Sequence, residues 1–344
     1  TREVVDVWFD SGSVPFAQFH YPFENVELFE KAFPADFIAE GIDQTRGWFY
    51  TMHNISTALF DQPAYRNVVV NDLVLDKKGQ KMSKSKGNTV DPFEVMERFG
   101  GDAVRWFLMA SSPVHKPKLW NEEDIAKTVI ADLFRSFTNT YEFFAMYANL
   151  DGYSADDPIV PLDKRAEIDQ WIISRLNTVM RDHVTAMDDY DITRACRLVQ
   201  EFVIEDVSNW YVRRNRRRFW NGEYDEDKRA AYQTLHTVLI RVAEMIAPVA
   251  PFLAESIFLR LNSNKEHFTV HCIILQTCDE GLINVDLERR MWQAQHIVSL
   301  ARSLREKAKI KTRQPLRRIL LPVDGPAMRR QLQSVEDIIK EEIN

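Results

Sequence analysis

Apolar residues follow two rhythms along this chain, and the change between them divides it. Up to about residue 115 the apolar runs are short and separated by turns. Residues 4–9 (Val4, Val5, Val7, Trp8, Phe9 around Asp6) read as a short buried strand, residues 34–41 as a second strand ending in Gly41, and 68–75 as a third apolar run. Residues 15–33 carry scattered aromatics without a long period and read as loops with a short helix. Trp48, Phe49, Met52, Ile55 and Leu59 recur at helical spacing, with Asp43 or Thr45 as the N-cap. Two short helices close this region, one near 92–99 and one capped by Asp102 that carries Val104, Phe107 and Leu108. Strands alternating with helices predict a parallel sheet with crossovers.

Beyond a Pro/Lys linker at 113–118 the period turns helical. Val129, Leu133, Phe137, Tyr141, Phe144 and Ala148 make one stripe; Ile168, Ile172, Leu176 and Val179 make a second; Ala195, Val199, Phe202 and Val203 begin a third. Leu235, Val238, Leu239, Val242 and Ile246 make a fourth, and Phe252, Ile257 and Leu261 a fifth after the prolines at 248 and 251. Such stripes are core faces, and helices joined by short to moderate loops make a bundle. Residues 268–275 read as an extended crossing segment. Leu287, Met291, Ala294, Val298 and Leu304 define a long helix that turns basic near its end, which suits the helix dipole. Residues 318–323 read as a strand and 325–343 as one or two helices. The expected architecture is α/β followed by all-α, with boundaries at 1–115, 116–285 and 286–344, the last being the start of a small α/β domain.

Composition narrows the function. The 344 residues suit two or three domains, and the net charge of −7 excludes a basic nucleic-acid coat, so any nucleic-acid contact must come from local basic patches. Cys196, Cys272 and Cys278 are too widely spaced for a disulfide framework or a zinc pair, which fits reduced cysteines and a cytoplasmic protein without bound zinc. No apolar run approaches the roughly 20 residues of a membrane span, and no signal peptide is present. Thr1 runs straight into structured sequence, so the chain reads as an excised piece of something longer.

Three stretches carry candidate chemistry. Lys78, Lys81, Lys84 and Lys86 cluster with Ser83, Ser85, Gly79 and Gly87 between an apolar run and a helix start at Asp91-Pro92. Lysines to neutralise charge, with hydroxyl and backbone donors, make a place to hold polyphosphate. The spacing is not that of a Walker A loop, and a solvated lysine-rich surface loop is the plainer alternative. Glu40-Gly41-Ile42-Asp43-Gln44-Thr45 joins a strand to a helix, the layout of a nucleotide site, where carboxylates accept from ribose hydroxyls and glycine allows close approach; a simple helix cap at Asp43 is the alternative. Arg213, Arg214, Arg216, Arg217 and Arg218 occupy five of six consecutive positions between Trp210-Tyr211 and Phe219-Trp220. They cannot all face a core, so they meet RNA, or else pair with carboxylates such as Glu205 and Asp206.

Lys81-Met82-Ser83-Lys84-Ser85 followed by Lys86-Gly87-Asn88 resembles the second signature of class I aminoacyl-tRNA synthetases. With Asp6-Val7-Trp8-Phe9-Asp10-Ser11-Gly12 and the run from Ala39 through Gly41, Asp43, Gln44 and Arg46 to Trp48-Phe49, the chain is similar to the isoleucyl enzymes of that family over essentially its whole length. The resemblance implies an ATP-dependent ligase that activates isoleucine and transfers it to tRNA(Ile), with Mg2+ accompanying ATP, no membrane association and no obligate protein partner. It implies that Glu40, Gly41, Asp43, Gln44 and Trp48 line the adenylate site, Gly41 and Asp43 at the ribose, Gln44 near the aminoacyl carbonyl and Trp48 close to the amino-acid pocket. Lys81 and Lys84 would act on the ATP phosphates, Lys84 stabilising the charge of departing pyrophosphate. The resemblance further implies half of a Rossmann-like catalytic domain followed by a helical anticodon-binding domain, in which Arg213, Arg216, Arg217 and Arg218 would lie. The family's first signature, His-x-Gly-His, has no counterpart among the eight histidines, and the inserted editing domain would lie upstream; the chain alone is therefore expected not to form isoleucyl-adenylate. A valyl-type synthetase and a non-catalytic tRNA-binding module derived from a synthetase are the alternatives.

Overall fold

The computed structural model of the chain describes residues 6–262, 268–274, 278–311 and 313–343. It divides into two compact units, one of the residues up to Lys127 together with Ala186–Cys196, the other of Thr128–Thr185 and the residues from Arg197 onward.

The first unit begins with helices α1 (Val7–Gly12), α2 (Val14–Ala17) and α3 (Val26–Ala32). Strand β1 (Ala35–Gly41) runs through a 3-10 turn (Ile42–Arg46) into α4 (Trp48–Phe60), which returns the chain to β2 (Tyr65–Asn71). The two strands pair in parallel with Ala35 opposite Tyr65 and Gly41 opposite Asn71, so the βαβ crossover is present. A second parallel pair joins β3 (Val74–Leu75) to β4 (Lys118–Leu119), with α5 (Pro92–Phe99) and α6 (Gly101–Ala110) between them in sequence. The sheet expected from the sequence is thus two separate pairs among the described residues. Phe29, Phe33, Phe49, Met52 and Ala64 form the buried core beside β1, with the Phe29 and Phe33 rings stacked 4.9 Å apart. Helices α1 and α4 approach at Gly12, where a Cβ would lie 2.8 Å from Ile55 Cδ1.

Two expectations fail here. Residues 7–9 are the first turn of α1, not a strand; Val4 and Val5 lie outside the described residues. The carboxylate of Asp6 accepts from the amide of Trp8 at 2.7 Å and caps the helix, while Val7, Trp8 and Phe9 stay exposed instead of being sandwiched. Asp102 is not the cap of α6. That position belongs to Gly100, and Asp102 is buried against the Arg105 guanidinium one turn on.

The second unit is helical. After α7 (Glu122–Asp124), which belongs to the first unit, and a π-helical stretch (Ile125–Phe134) come α8 (Arg135–Asp151), α9 (Glu167–Asp188) and α10 (Ile192–Glu201), the end of α9 and the start of α10 being counted with the first unit. A second π-helical stretch (Phe202–Val212) leads into α11 (Arg213–Trp220), then α12 (Glu226–Ile246), α13 (Pro251–Leu261), α14 (Val285–Lys307), α15 (Gly325–Ser334) and α16 (Glu336–Ile343). The stripes read from the sequence are the buried faces: Phe137 and Phe144 on α8, Ile172, Leu176 and Val179 on α9, Leu235, Val238 and Leu239 on α12, Met291, Ala294 and Val298 on α14. Phe252 departs from its stripe and is exposed at the start of α13. Residues 268–274 are not simply extended, since a 3-10 turn (Val270–Cys272) buries Val270; Leu275 lies outside the described residues. Residues 318–323 form no strand. Among the described residues no neighbouring strand offers them hydrogen bonds, and Leu320 is left exposed. No helix among the described residues is long and apolar enough to cross a membrane.

Candidate functional site

The turn from β1 into α4 is built by its own side chains. Gln44 caps α4: its Oε1 accepts from the amide of Trp48 at 3.0 Å, and its Nε2 donates to Asp43 Oδ2 at 3.0 Å. The cap expected from Asp43 or Thr45 is therefore supplied by Gln44, while the Thr45 hydroxyl donates to the Ile42 carbonyl. Asp43 is exposed, with Oδ1 standing over Gly41; a Cβ on Gly41 would lie 2.7 Å from that oxygen. A Cβ on Gly47 would meet Gln44 Oε1 at 2.8 Å and the Trp8 ring at 3.1 Å. Glycine at 41 and 47 thus keeps the Asp43 carboxylate and the Gln44 amide in place. Trp48 is anchored by its indole N–H to the Ser11 carbonyl at 3.0 Å and borders an apolar cavity of about 240 Å³ with Val14, Phe19, Ile38 and Met52. Glu40, at the end of β1, is exposed. The turn so holds an exposed carboxylate pair, Glu40 and Asp43, at the carboxyl end of a parallel strand, beside a fixed indole.

The lysine loop is folded on itself by Asn88 and by Asp76, which sequence reasoning passed over. Asp76 Oδ1 accepts from the amides of Lys78 (2.9 Å) and Gln80 (2.8 Å), and its Oδ2 accepts from Asn88 Nδ2 at 2.9 Å. Asn88 Oδ1 in turn accepts from the amide of Ser83 at 2.9 Å. One residue at each end of the loop thus staples it. The Asn88 hydrogen bond, helped by the Gln80 and Lys78 amides, holds the Asp76 carboxyl below its ordinary value. Gly79 and Gly87 sit at φ +74° and +64°, where side chains are strained, which is why glycine closes both bends. The signal for Asp76 was present in the run Asp76-Lys77-Lys78-Gly79, since Asp with a following Gly is turn chemistry.

Lys81 and Lys84 project from this frame exposed and without an ion pair among the described residues. The Ser83 and Ser85 hydroxyls lie 3.1 Å apart. Beneath the loop is an open cleft of about 670 Å³ lined by Lys77, Lys78, Met82, Lys86 and Trp120, with Asp76 and Glu122 at its edge. The cleft's own cations are Lys77, Lys78 and Lys86, with Lys77 paired to Glu123 at 3.7 Å, whereas Lys81 and Lys84 lie outside its lining. Exposed lysines with no carboxylate spent on them are equipped to neutralise phosphate.

In the second unit the five arginines divide. Arg218 is not open to solvent: it reaches Asp169 Oδ2 at 2.9 Å and Asp227 Oδ1 at 2.7 Å, and Asp169, fully buried, also accepts from the Tyr211 hydroxyl at 2.6 Å. These carboxylates raise the Arg218 guanidinium against the opposing pull of burial, and burial pushes the Tyr211 hydroxyl far up. Arg213 and Arg214 both meet Glu342 on α16, at 2.5 and 2.9 Å, and Arg302 of α14 joins the same carboxylate at 2.7 Å. The partners foreseen for Arg213 and Arg214, Glu205 and Asp206, are not the ones used; Asp206 instead pairs with Arg175 at 3.2 Å. Arg216 and Arg217 are exposed and without an ion pair among the described residues. Of the four arginines expected at RNA, the structure leaves two facing solvent.

Comparison with known proteins finds two matched regions along the chain. Residues 1–120 match the family described as tRNA synthetases class I (I, L, M and V), and residues 169–320 match the anticodon-binding domain of tRNA ligase. The isoleucine–tRNA ligase of Cytophaga hutchinsonii is 50% identical over 99% of this chain and 31% of its own length. That of Thermus thermophilus is 43% identical over 99% of this chain and 33% of its own length. The chain spans about a third of the length of the curated relatives it matches. Among solved structures, a ternary complex of an Agrobacterium radiobacter LeuRS with tRNA and LeuAMS superposes with a TM-score of 0.64 at 21% identity, covering 82% of this chain and 34% of that one. Methionyl-tRNA synthetase of Mycobacterium tuberculosis with methionyl-adenylate gives 0.64 at 23% identity, covering 79% and 53%. These two show the shared fold. With both of its matched regions in place and such identity along its whole length, the chain belongs to the class I tRNA synthetases.

Proposed function

We propose that this chain is part of an isoleucine–tRNA ligase, in which the whole enzyme joins isoleucine to ATP as the adenylate and transfers it to tRNA(Ile). The observation that carries this is the 50% identity to one such ligase over 99% of the chain. In this reading the nucleotide has its phosphates on Lys81 and Lys84, which the lysine loop leaves exposed and unpaired among the described residues, and its ribose at Gly41 and Asp43, beside the exposed carboxylates at the end of β1. Glu40 and Gln44 face the aminoacyl end, and Trp48 walls the amino-acid side. No side chain need form a covalent bond, because the substrate carboxylate attacks the α-phosphate and pyrophosphate leaves. The protein's part is positioning, with Lys84 meeting the charge that builds on the departing phosphates. Mg2+ enters with the ATP phosphates, which supply its hard oxygen ligands.

In this reading residues 1–115 contribute to the catalytic domain, 116–285 form the anticodon-binding bundle, and 286–344 open a further domain. Arg216 and Arg217 carry the phosphate contact to tRNA, whereas Arg213 and Arg218 position the helix that presents them. The test is amino-acid-dependent ATP–pyrophosphate exchange by the intact ligase that carries these residues. Exchange driven by isoleucine in preference to valine is the expected result; preference for valine would reassign the enzyme, and exchange with neither would remove the activity.

A further inference from the structure

Helix α1 has six residues, too few to be stable alone in water, so its place depends on what it rests against. It rests on α4 at two glycines. At the carboxyl end of α1 buried Gly12 meets the side of α4, where a Cβ would lie 3.0 Å from Thr51 Cβ and 3.1 Å from the Thr51 carbonyl carbon, besides its clash with Ile55 Cδ1 at 2.8 Å. Gly12 is helical, so close approach and not backbone conformation calls for glycine there. At the other end of α1 the Trp8 ring stands over Gly47, the residue before α4 begins, with its Cη2 3.1 Å from where a Cβ would be.

This close approach brings a backbone acceptor of α1 to a side chain of α4. The Ser11 carbonyl accepts from the Trp48 indole N–H at 3.0 Å, across 37 residues of sequence. Trp48 stands at the first position of α4, directly after the turn that holds Asp43 and Gln44, and Gln44 Oε1 caps its amide. Its ring borders the apolar cavity of about 240 Å³ with Val14, Phe19 and Met52, so on that side packing leaves it room to tilt. The hydrogen bond to Ser11 supplies the direction that packing leaves open.

We propose that Ser11 and Gly12 are positioning residues for amino-acid binding: Gly12 lets α1 come close enough for the Ser11 carbonyl to latch the Trp48 indole, and the latched ring is the wall that the isoleucine side chain meets. The proposal rests on the reading of Trp48 as the amino-acid wall of an isoleucine–tRNA ligase. A methyl group at position 12 would face the α4 backbone at 3.1 Å, against an optimum of roughly 3.5–4.0 Å between carbons, so α1 must retreat by about half an ångström. That takes the 3.0 Å latch beyond the usual N–H···O range of about 2.7–3.2 Å.

The test is isoleucine-dependent ATP–pyrophosphate exchange by the intact ligase, with two changes made separately. One is Gly12→Ala. The other replaces Trp48 by benzothienylalanine, an isostere of tryptophan that lacks the N–H donor and adds no bulk at Gly12. Each should raise KM for isoleucine about fivefold, the worth of one hydrogen bond taken from the competent conformation, with KM for ATP kept. A merely structural fault lowers the fraction of active enzyme, and so kcat, without touching the isoleucine KM. Where Gly12→Ala melts early, the isostere decides alone. An isoleucine KM that stays at the wild-type value in the isostere, or that rises in step with the KM for ATP, overturns the proposal, and so does a loss confined to kcat. A wild-type ligase without isoleucine-driven exchange would remove the proposed activity and the latch with it, whereas failure of the latch alone leaves wild-type exchange intact.

Discussion

Single residues decide whether the loop and the arginine helix work as described. The Asp76 carboxylate is held below its ordinary value by the Asn88 amide, so the folded loop prefers the ionised form. Its contribution is fully present above the unfolded value of 3.8 and is lost as pH falls through the lower folded value. The amides of Lys78 and Gln80, followed by NMR during acid titration, should keep their bonded shifts through 3.8 and change only below it; a midpoint at or above 3.8 contradicts the staple. At Asp169 the stakes are larger, because a buried carboxylate serves Tyr211 and Arg218 together. Asp169→Asn should destabilise the fold by about 3 kcal/mol, as removal of one partner from a buried pair does, measured by urea denaturation. Some of this was legible in the sequence. The lysines, Asp43 and Gln44 were visible because their order along the chain is local. The pairing of Arg218 with Asp169 and of Arg213 with Glu342 was not, since those partners lie 49 and 129 residues away and no local rule brings them together.

Elements show the same boundary between legible and hidden. Helices of the bundle were readable because each buries a stripe at a period of 3.6, and those stripes are the core. The short apolar run ending in Trp8-Phe9 was misread, because periodicity does not separate a strand from a helix over so few residues and the Asp6 cap decides the matter. A strand at 318–323 failed for a different reason: a strand exists only with a neighbour, which the sequence of the strand itself does not reveal. Helix α16 was foreseen as a helix, but its place was not. Glu342 gathers Arg213, Arg214 and Arg302 while itself nearly buried, so it pins α16 to α11 and α14. Glu342→Ala should release α16, seen as faster amide exchange across Glu336–Ile343 with little change in α12. Unchanged exchange in α16 would show that Ile339 and Ile343, buried on the same helix, suffice to hold it.

For the molecule as a whole, a net charge of −7 leaves the proposed contact with tRNA to local groups, and in the arginine run of α11 Arg213, Arg214 and Arg218 are paired to carboxylates while Arg216 and Arg217 face water. The same economy holds at the lysine loop, where Asp76 is used up on backbone amides and Asn88, leaving Lys81 and Lys84 unpaired among the described residues. The proposed activity therefore rests on cations that the stapled loop presents, in a chain about a third the length of its relatives. The most direct test is isoleucine-dependent ATP–pyrophosphate exchange by the intact ligase before and after Lys84→Ala, with tRNA affinity measured alongside. A fall of about a hundredfold or more in exchange is expected, as for loss of one transition-state charge partner, with tRNA affinity retained. Exchange that survives the substitution unchanged would contradict it.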